Sequence, residues 1–284
     1  MIRLFIGLLF LAFLLEASSP QTTYPAPKEL LDQMIEQTRK VYTLSYTMRK
    51  FERINGKLIE QVSYIKHNRG PYKVYARQQY PNDGLEVLYV EGENRGRVLI
   101  NPNGFPWMNV SLDPNSSQLR KGQHHTILDT GYDLVIDILD HLVKKYSAKT
   151  DVILSISDVT SINGKKCWVL ELKNPNFKYQ SYTIRKGENL ISIAKKFKLG
   201  EHMIMEKNHR VNSYWDVEEG QKIRIPNDYC PKMILTIEQD RMIPLIMRIF
   251  DEEGIYELYE FKNVVINPTF KEEEFTRNYE CYGF

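Results

Sequence analysis

The sequence predicts an α+β fold: one large, curved antiparallel sheet with two covering helices, interrupted once by a compact strand-helix-helix-strand (βααβ) unit. Three observations lead there. Apolar and polar residues alternate over much of the chain, as in Tyr42-Thr43-Leu44-Ser45-Tyr46-Thr47-Met48, which is the period of strands with one buried face. Short turn sequences divide these runs, namely Asn55-Gly56, Arg69-Gly70-Pro71, Pro81-Asn82-Asp83-Gly84 and Asn163-Gly164, and such brief connections favour antiparallel neighbours. Helical spacing occurs in two long segments, and once more inside "YTIRKGENLISIAKKF", residues 182–197.

The chain opens on Met1-Ile2-Arg3, runs through the apolar stretch Leu4 to Leu15 and reaches Glu16-Ala17-Ser18-Ser19-Pro20. That charged, apolar and small-residue order predicts a signal peptide over residues 1–17, cleaved after Ala17, and hence export to the periplasm or cell envelope of a Gram-negative bacterium. The apolar run is short of the roughly 20 residues that span a bilayer, and no later segment is apolar enough to cross one. Next, "KELLDQMIEQTRKV" places Leu30, Leu31, Met34, Ile35 and Val41 at helical spacing just after Pro27, predicting an amphipathic helix. Strands are expected from Tyr42 onward, then over Leu58 to His67, Tyr72 to Tyr80, Leu85 to Glu91 and Arg97 to Asn101, joined as a meander. An irregular stretch, "NPNGFPWMNVSLDPNSSQLRKG", precedes one long helix expected over His125 to Tyr146, with Leu134, Val135, Ile138, Leu139 and Leu142 on its apolar face. Strands resume at Asp151 to Ser161 and Lys165 to Lys173, and "KMILTIEQD", "PLIMRIFDEEG" and "IYELYEFKNVVIN" supply three more.

Composition narrows the function. The formal charge of +2 is unchanged when Arg3 and Glu16 leave with the signal peptide, and it excludes a dedicated nucleic-acid binder. Tyr is abundant, 18 in all, and suits half-buried strands and the walls of ligand clefts. Of the three cysteines, Cys167 reads as a buried thiol, and Cys230 with Cys281 is the more plausible disulfide pair in an oxidising compartment. No metal or cofactor site is expected. On a helix the adjacent His124 and His125 diverge by about 100 degrees, unlike a chelating i, i+4 pair, so a capping or surface role is expected for them. Asp129, Asp133 and Asp137 would share one solvated helix face. The loop Asn101-Pro102-Asn103-Gly104-Phe105-Pro106-Trp107 reads as a lid or partner-contact loop offering Phe105 and Trp107, or as a wide turn whose aromatics plug the end of the sheet.

The unit at 181–229 has its own apolar set, Leu190, Ile193, Ala194 and Phe197, a second short helix in "HMIMEKN" and a closing strand in "VEEGQKIRIP". Its two strands must pair with each other, so its ends emerge together, as an insertion into a host loop requires. Tyr182-Thr183-Ile184, Gly187-Glu188-Asn189-Leu190, Ile193-Ala194, Asn208 and Gly220-Gln221-Lys222-Ile223-Arg224-Ile225-Pro226 resemble the LysM domain in residue type, order and spacing. That resemblance implies binding to peptidoglycan or another N-acetylglucosamine-containing glycan. The groove would use Gly187, Glu188, Asn189, Leu190 and Asn208, with His209 and Arg210 where the family commonly has Pro and Asn189 where it usually has Thr or Ser.

The remainder, residues 28–180 plus 231–284, resembles an uncharacterised family of exported bacterial proteins in "GLEVLYVEG", "NPNGFPWMNVSLDP", "RKGQHHTILDTGYD" and "LYEFKNVVINPTFKEEEFTRNY". The host part of that family is similar to the periplasmic lipoprotein carrier LolA, an incomplete antiparallel barrel with helices over its concave face. The resemblance implies an apolar cleft for a lipid, lipoprotein or other hydrophobic partner, and Tyr42, Leu44, Tyr46, Met48, Val62, Tyr64, Val87 and Tyr89 are the residues expected to line it. The same side chains would equally form an ordinary core against the two helices. A non-catalytic envelope binding protein is therefore expected, set against a cell-wall enzyme with an unfamiliar site or a structural tether. No catalytic residue stands out, because neither a Cys-His pattern nor a zinc-ligand spacing nor a placed acid pair is present.

Overall fold

The computed structural model describes residues 24–147 and 153–284, so the predicted signal peptide lies outside the described residues. Eleven strands form one open antiparallel sheet in the order β6-β5-β4-β3-β2-β1-β13-β12-β11-β8-β7. These are β1 (Thr43–Ile54), β2 (Lys57–Arg69), β3 (Tyr72–Tyr80), β4 (Glu86–Val90), β5 (Val98–Asn101), β6 (Val110–Leu112), β7 (Leu154–Ile162), β8 (Lys165–Lys173), β11 (Lys232–Glu238), β12 (Pro244–Asp251) and β13 (Gly254–Ile266). Strands β1 to β5, β7 with β8, and β11 to β13 pair in chain order through short connections. At the first, Asn55 and Gly56 both have positive φ, 50° and 75°, as the hairpin turn between right-twisted strands requires. Pairing of the first strand with the last, Met48 with Phe261 and Phe51 with Leu258, joins the two halves of the sheet.

Two helices lie on the concave face. Helix α1 (Pro27–Arg39) starts on a proline, whose missing N–H costs nothing there, and buries Leu30, Leu31, Met34 and Ile35. Helix α3 (Asp133–Lys145) buries Val135, Ile136, Ile138, Leu139 and Leu142. Both meet Leu44, Tyr46, Leu170, Leu172, Met233, Leu235, Met247, Ile249 and Phe261 in one core. An Arg39–Asp140 ion pair ties the helices together.

The structure corrects four expectations. The helix expected over His125 to Tyr146 begins only at Asp133. Gly131 has φ of +96°, and a Cβ there would come within 2.9 Å of the His67 ring, so the chain turns at that point. Before it, Ile127–Asp129 is a single 3-10 turn closed by a Thr126–Asp129 capping box. Asp129 therefore leaves the expected face and caps the 3-10 turn, while Asp133 and Asp137, one turn apart on α3, still share a face and pair with Arg69 and Lys198. Part of the "irregular" stretch is the edge strand β6, followed by the short helix α2 (Ser117–Arg120). All three cysteines are free thiols. Cys230 sits in the core, and Cys281 is exposed near the C-terminus, which leaves the expected pair unbonded.

Between β8 and β11 the chain leaves the sheet and returns to it, with Lys173 directly opposite Lys232. The excursion forms a second, two-stranded sheet of β9 (Tyr179–Thr183) and β10 (Lys222–Pro226), with helices α4 (Leu190–Phe197) and α5 (Glu201–Glu206) between them. It has its own core of Ile184, Leu190, Ile193, Ala194, Leu199, Ile204, Val211, Tyr214, Ile223 and Ile225. Residues after β13 fold over the convex face, where Phe275 and Tyr282 pack with Tyr75, Leu88 and Val90.

Candidate functional site

A cavity of about 400 Å³ lies between the concave face and α3, within the size range of small-ligand sites. Tyr46, Met48, Ile65, Val87, Met247 and Phe261 wall it from the sheet, and Leu134, Val135 and Ile138 close it from the helix. Asn82, Gln118 and Lys121 line it too and are exposed, so it opens at the end of the sheet where β3 turns into β4. Its inner wall changes from apolar to ionised at Lys50, Glu52, His125 and Glu257.

Strand register decides which expected residues reach this cavity. In β1 the inward set continues Tyr46, Met48, Lys50 and Glu52, opposite Ile65, Ser63, Gln61 and Ile59 of β2. Val62 and Tyr64 consequently point to the convex face, where Tyr64 packs beneath the C-terminal segment. Val62 and Tyr64 share one strand face, as expected, but it is the convex one, whose cover is formed by residues more than two hundred positions away. Tyr42 precedes β1 and is 65% exposed, so it too is outside the cleft. Leu44 is buried in the main core, and Tyr89 stacks edge-on with Tyr72 at 6.1 Å. Of the expected set, Tyr46, Met48 and Val87 line the cavity.

The ionised wall is a buried network, and it contains His124 and His125, for which a capping or surface role is expected from sequence. His124 is buried and His125 nearly so. His124 Nδ1 lies 2.7 Å from Glu257 and its Nε2 3.0 Å from the Arg53 carbonyl. His125 Nε2 lies 3.4 Å from Glu257 and 3.1 Å from the Tyr229 hydroxyl. Tyr229 donates to Glu257, Tyr259 donates to Glu52, and Lys50 pairs with Glu52 at 3.0 Å. Burial alone would raise the Glu257 carboxyl, yet the two histidines hold it well below the usual carboxylate range. Burial likewise opposes charge on His125, and Glu257 with Asp129 and Glu52 overrides it, carrying the ring up to about 10. No spacing pattern signals this cluster, since its partners come from β1, the segment before α3, and β13.

The same network seats the inserted unit. His124 stacks on His202 of α5 at 4.4 Å and on Tyr256 at 4.4 Å, while His202 Nδ1 meets the Tyr214 hydroxyl at 3.0 Å. Arg120 pairs with Glu201 at 2.7 Å in near-complete burial and lies 4.8 Å from the Tyr214 ring centre. Lys207–Glu252 and Lys198–Asp137 ion pairs, at 2.7 and 2.8 Å, flank the joint.

Within the unit, the expected groove residues divide by role. Gly187 turns with φ of 78°. Glu188 accepts from Tyr182, the Arg185 amide and Lys196, and although burial opposes it, these donors bring its carboxyl down to about 2. Asn189 caps α4 by accepting from the Ser192 amide at 2.9 Å. Leu190 contradicts its assignment: its side chain is fully buried, since the first turn of α4 faces inward, and only its amide, donating to the Tyr214 carbonyl, lies between the two loops. Asn208 bridges α5 to β10, donating to the Ile204 and Arg224 carbonyls and accepting from the Arg224 amide. His209 and Arg210 are exposed. Trp215, which was not singled out, is 43% exposed beside the Tyr214 turn.

A family model described as a protein of unknown function (DUF1571) matches residues 41–197, and the LysM domain model matches residues 182–226. No curated protein matches the chain. Among the solved structures to which the chain is similar at low identity are the following. Against the MucA/MucB complex of Pseudomonas aeruginosa, identity is 14% over 88% of this chain and 60% of that one, with a TM-score of 0.41. Against the Mycobacterium tuberculosis lipoprotein LppX it is 12% over 86% and 99%, TM-score 0.41. Against a putative outer membrane lipoprotein-sorting protein domain from Vibrio parahaemolyticus it is 10% over 88% and 96%, TM-score 0.33. These are likenesses only, and the fold described above rests on the strand order and the covering helices.

Proposed function

For a chain that belongs to the DUF1571 family and carries a LysM domain between two paired strands of its sheet, we propose a non-catalytic role in the cell envelope. The LysM domain holds the protein on peptidoglycan or a related N-acetylglucosamine-containing glycan, and the cleft of the host sheet takes a lipid, a lipoprotein acyl chain or another apolar group. The observation that carries this reading is the cavity itself: about 400 Å³, walled mainly by aliphatic and aromatic side chains, with polar groups confined to part of its lining, and open at one end. A space of that character shelters apolar surface from water at roughly 25 cal/mol per Å². On the LysM domain, the Gly187 amide and the side-chain amide of Asn189 would meet the acetamido group and hydroxyls of the glycan, the Glu188, Asn189 and Leu190 amides being engaged within the domain, and Trp215 offers a face for a sugar ring. His209 and Arg210 stand at the edge of the same groove.

One preparation tests both halves. The chain from residue 18 onward is sedimented with insoluble peptidoglycan, and native mass spectrometry of the same sample reads any co-purified acyl mass. Sedimentation together with a bound apolar mass supports the reading. Sedimentation without such a mass leaves a wall-bound tether, and failure of both overturns the proposal.

A further inference from the structure

The end of the sheet at which the cleft opens also carries the most exposed large apolar side chains among the described residues. Phe105 and Trp107 are 85% and 82% exposed and Met108 is 67% exposed, all in the loop between β5 and β6. Leu58 and Ile59, beyond the β1–β2 turn, and Tyr80, at the end of β3, are exposed as well. Register places these turns at one end: Arg53 pairs with Leu58, Val62 with Tyr80, and Glu86 with Asn101. The aromatic loop is fixed there, because Asn103 donates its side-chain amide to the Asp83 carbonyl at 3.0 Å and its backbone amide to Asn101. Trp107 holds φ of 60° and donates to the Gly104 carbonyl, a left-handed turn that is costly for a bulky residue and that presents its ring to solvent. Collapse of these rings onto the sheet, the ordinary outcome for such side chains, does not occur.

We propose that this edge is a membrane-docking rim: the Phe105–Met108 loop enters the interface of a lipid bilayer and sets the mouth of the cleft against it. Three features favour lipid over a protein partner. The apolar groups sit on convex turn tips, which a fluid interior accommodates and a rigid partner would have to match pocket by pocket. Trp and Phe are the residues that settle at the bilayer interface. The exposed Lys57 and Lys121 stand on the same end, in the β1–β2 turn and at the cleft mouth, where they face anionic headgroups. Because Asn82, Gln118 and Lys121 line the cleft and are exposed there, an acyl chain would pass from the bilayer into the cavity without crossing open water. The proposal rests on the lipid-cleft reading, and its test separates the two.

Vesicles of phosphatidylethanolamine and phosphatidylglycerol are floated with the chain from residue 18 onward and with its Phe105→Ser, Trp107→Ser, Met108→Ser variant, while co-purified acyl mass is read separately in solution. The expected result is flotation of the unaltered chain, loss of at least ~10-fold in vesicle affinity for the variant, and an unchanged acyl mass. As a second measurement, vesicles with brominated acyl chains should quench part of the tryptophan emission of the unaltered chain. That part should vanish in Trp107→Phe, which keeps the site apolar. Absence of flotation, equal flotation by the variant, or quenching that survives Trp107→Phe would each overturn the docking rim. A dimer dissolved by the triple variant, with no vesicle binding, would assign the rim to self-association instead. Flotation with no acyl mass leaves the rim standing and sinks the cleft reading.

Discussion

Glu257 illustrates how much a single buried carboxylate organises here. It faces His124, His125 and Tyr229 from the last strand, and Glu257→Ala would leave two imidazoles and a phenol without their acceptor, at a cost of about 3–5 kcal/mol in denaturant unfolding. Glu257→Gln, which still accepts from Tyr229, should cost less; equal losses would mean that charge contributes little. Two histidines set opposite pH limbs. The ordinary His value is about 6.5. His125 is carried up to about 10, so its stabilisation is complete below about 6.5 and is lost as pH rises toward 10. His67 is driven down to about 4, first by burial and then by Arg69, so the unfolded chain takes up a proton that the folded ring refuses, and stability falls from pH 6.5 toward 4. Thermal unfolding should therefore peak near pH 6.5, with His125→Gln flattening the alkaline limb; a melting temperature level between pH 6.5 and 10 would refute this. In the LysM domain, Asn208→Ala removes three hydrogen bonds and should destabilise it by about 1–3 kcal/mol. Trp215→Ala should weaken wall sedimentation with the melting temperature unchanged, and equal binding by that variant would exclude the ring from the groove. Asn208 was legible as a fixed position of the domain, but its use as a brace between α5 and β10 was not, because a motif marks a residue without saying which way it points.

Among the elements, helix α3 has two functions, since its buried face completes the core while Val135 and Ile138 close the cleft. Val135→Trp should fill part of the cavity and remove the co-purified acyl mass while circular dichroism stays unchanged; retention of the mass would place the ligand elsewhere. The strands were readable from alternation and turns, and β1 to β5 fall within a few residues of where the pattern puts them. Facing was harder. In β2 both faces are covered, one by helices and the other by the C-terminal segment, so hydrophobicity no longer distinguishes inside from outside, and Val62 and Tyr64 were assigned to the wrong side. The α3 start was hidden for a different reason: apolar spacing continues through Ile127 and Leu128, although the Thr126–Asp129 capping box and the left-handed Gly131 separate that turn from the helix.

At the scale of the whole molecule, the LysM domain is seated rather than tethered. Its α5 meets the same His124 that borders the cleft network, and ion pairs brace both sides. Thermal unfolding should then be a single transition, with Arg120→Ala combined with His202→Ala splitting it in two; two transitions in the unaltered chain would show independent folding. The insertion itself was plain in the sequence, because a βααβ unit must bring its ends together. The polar joint was not, being assembled from Arg120, His124, His202 and Tyr256, which lie far apart in the chain. The pairing of β1 with β13 has a consequence for how the protein comes into being. Until the final strand arrives, β1 has a row of unsatisfied amides and carbonyls along one side, and the α1 and α3 residues that cover the concave face lack much of their floor. Before β13 is made the chain holds two half-sheets with unpaired facing edges, β1 and β12, slow to close because the decisive contact joins distant segments.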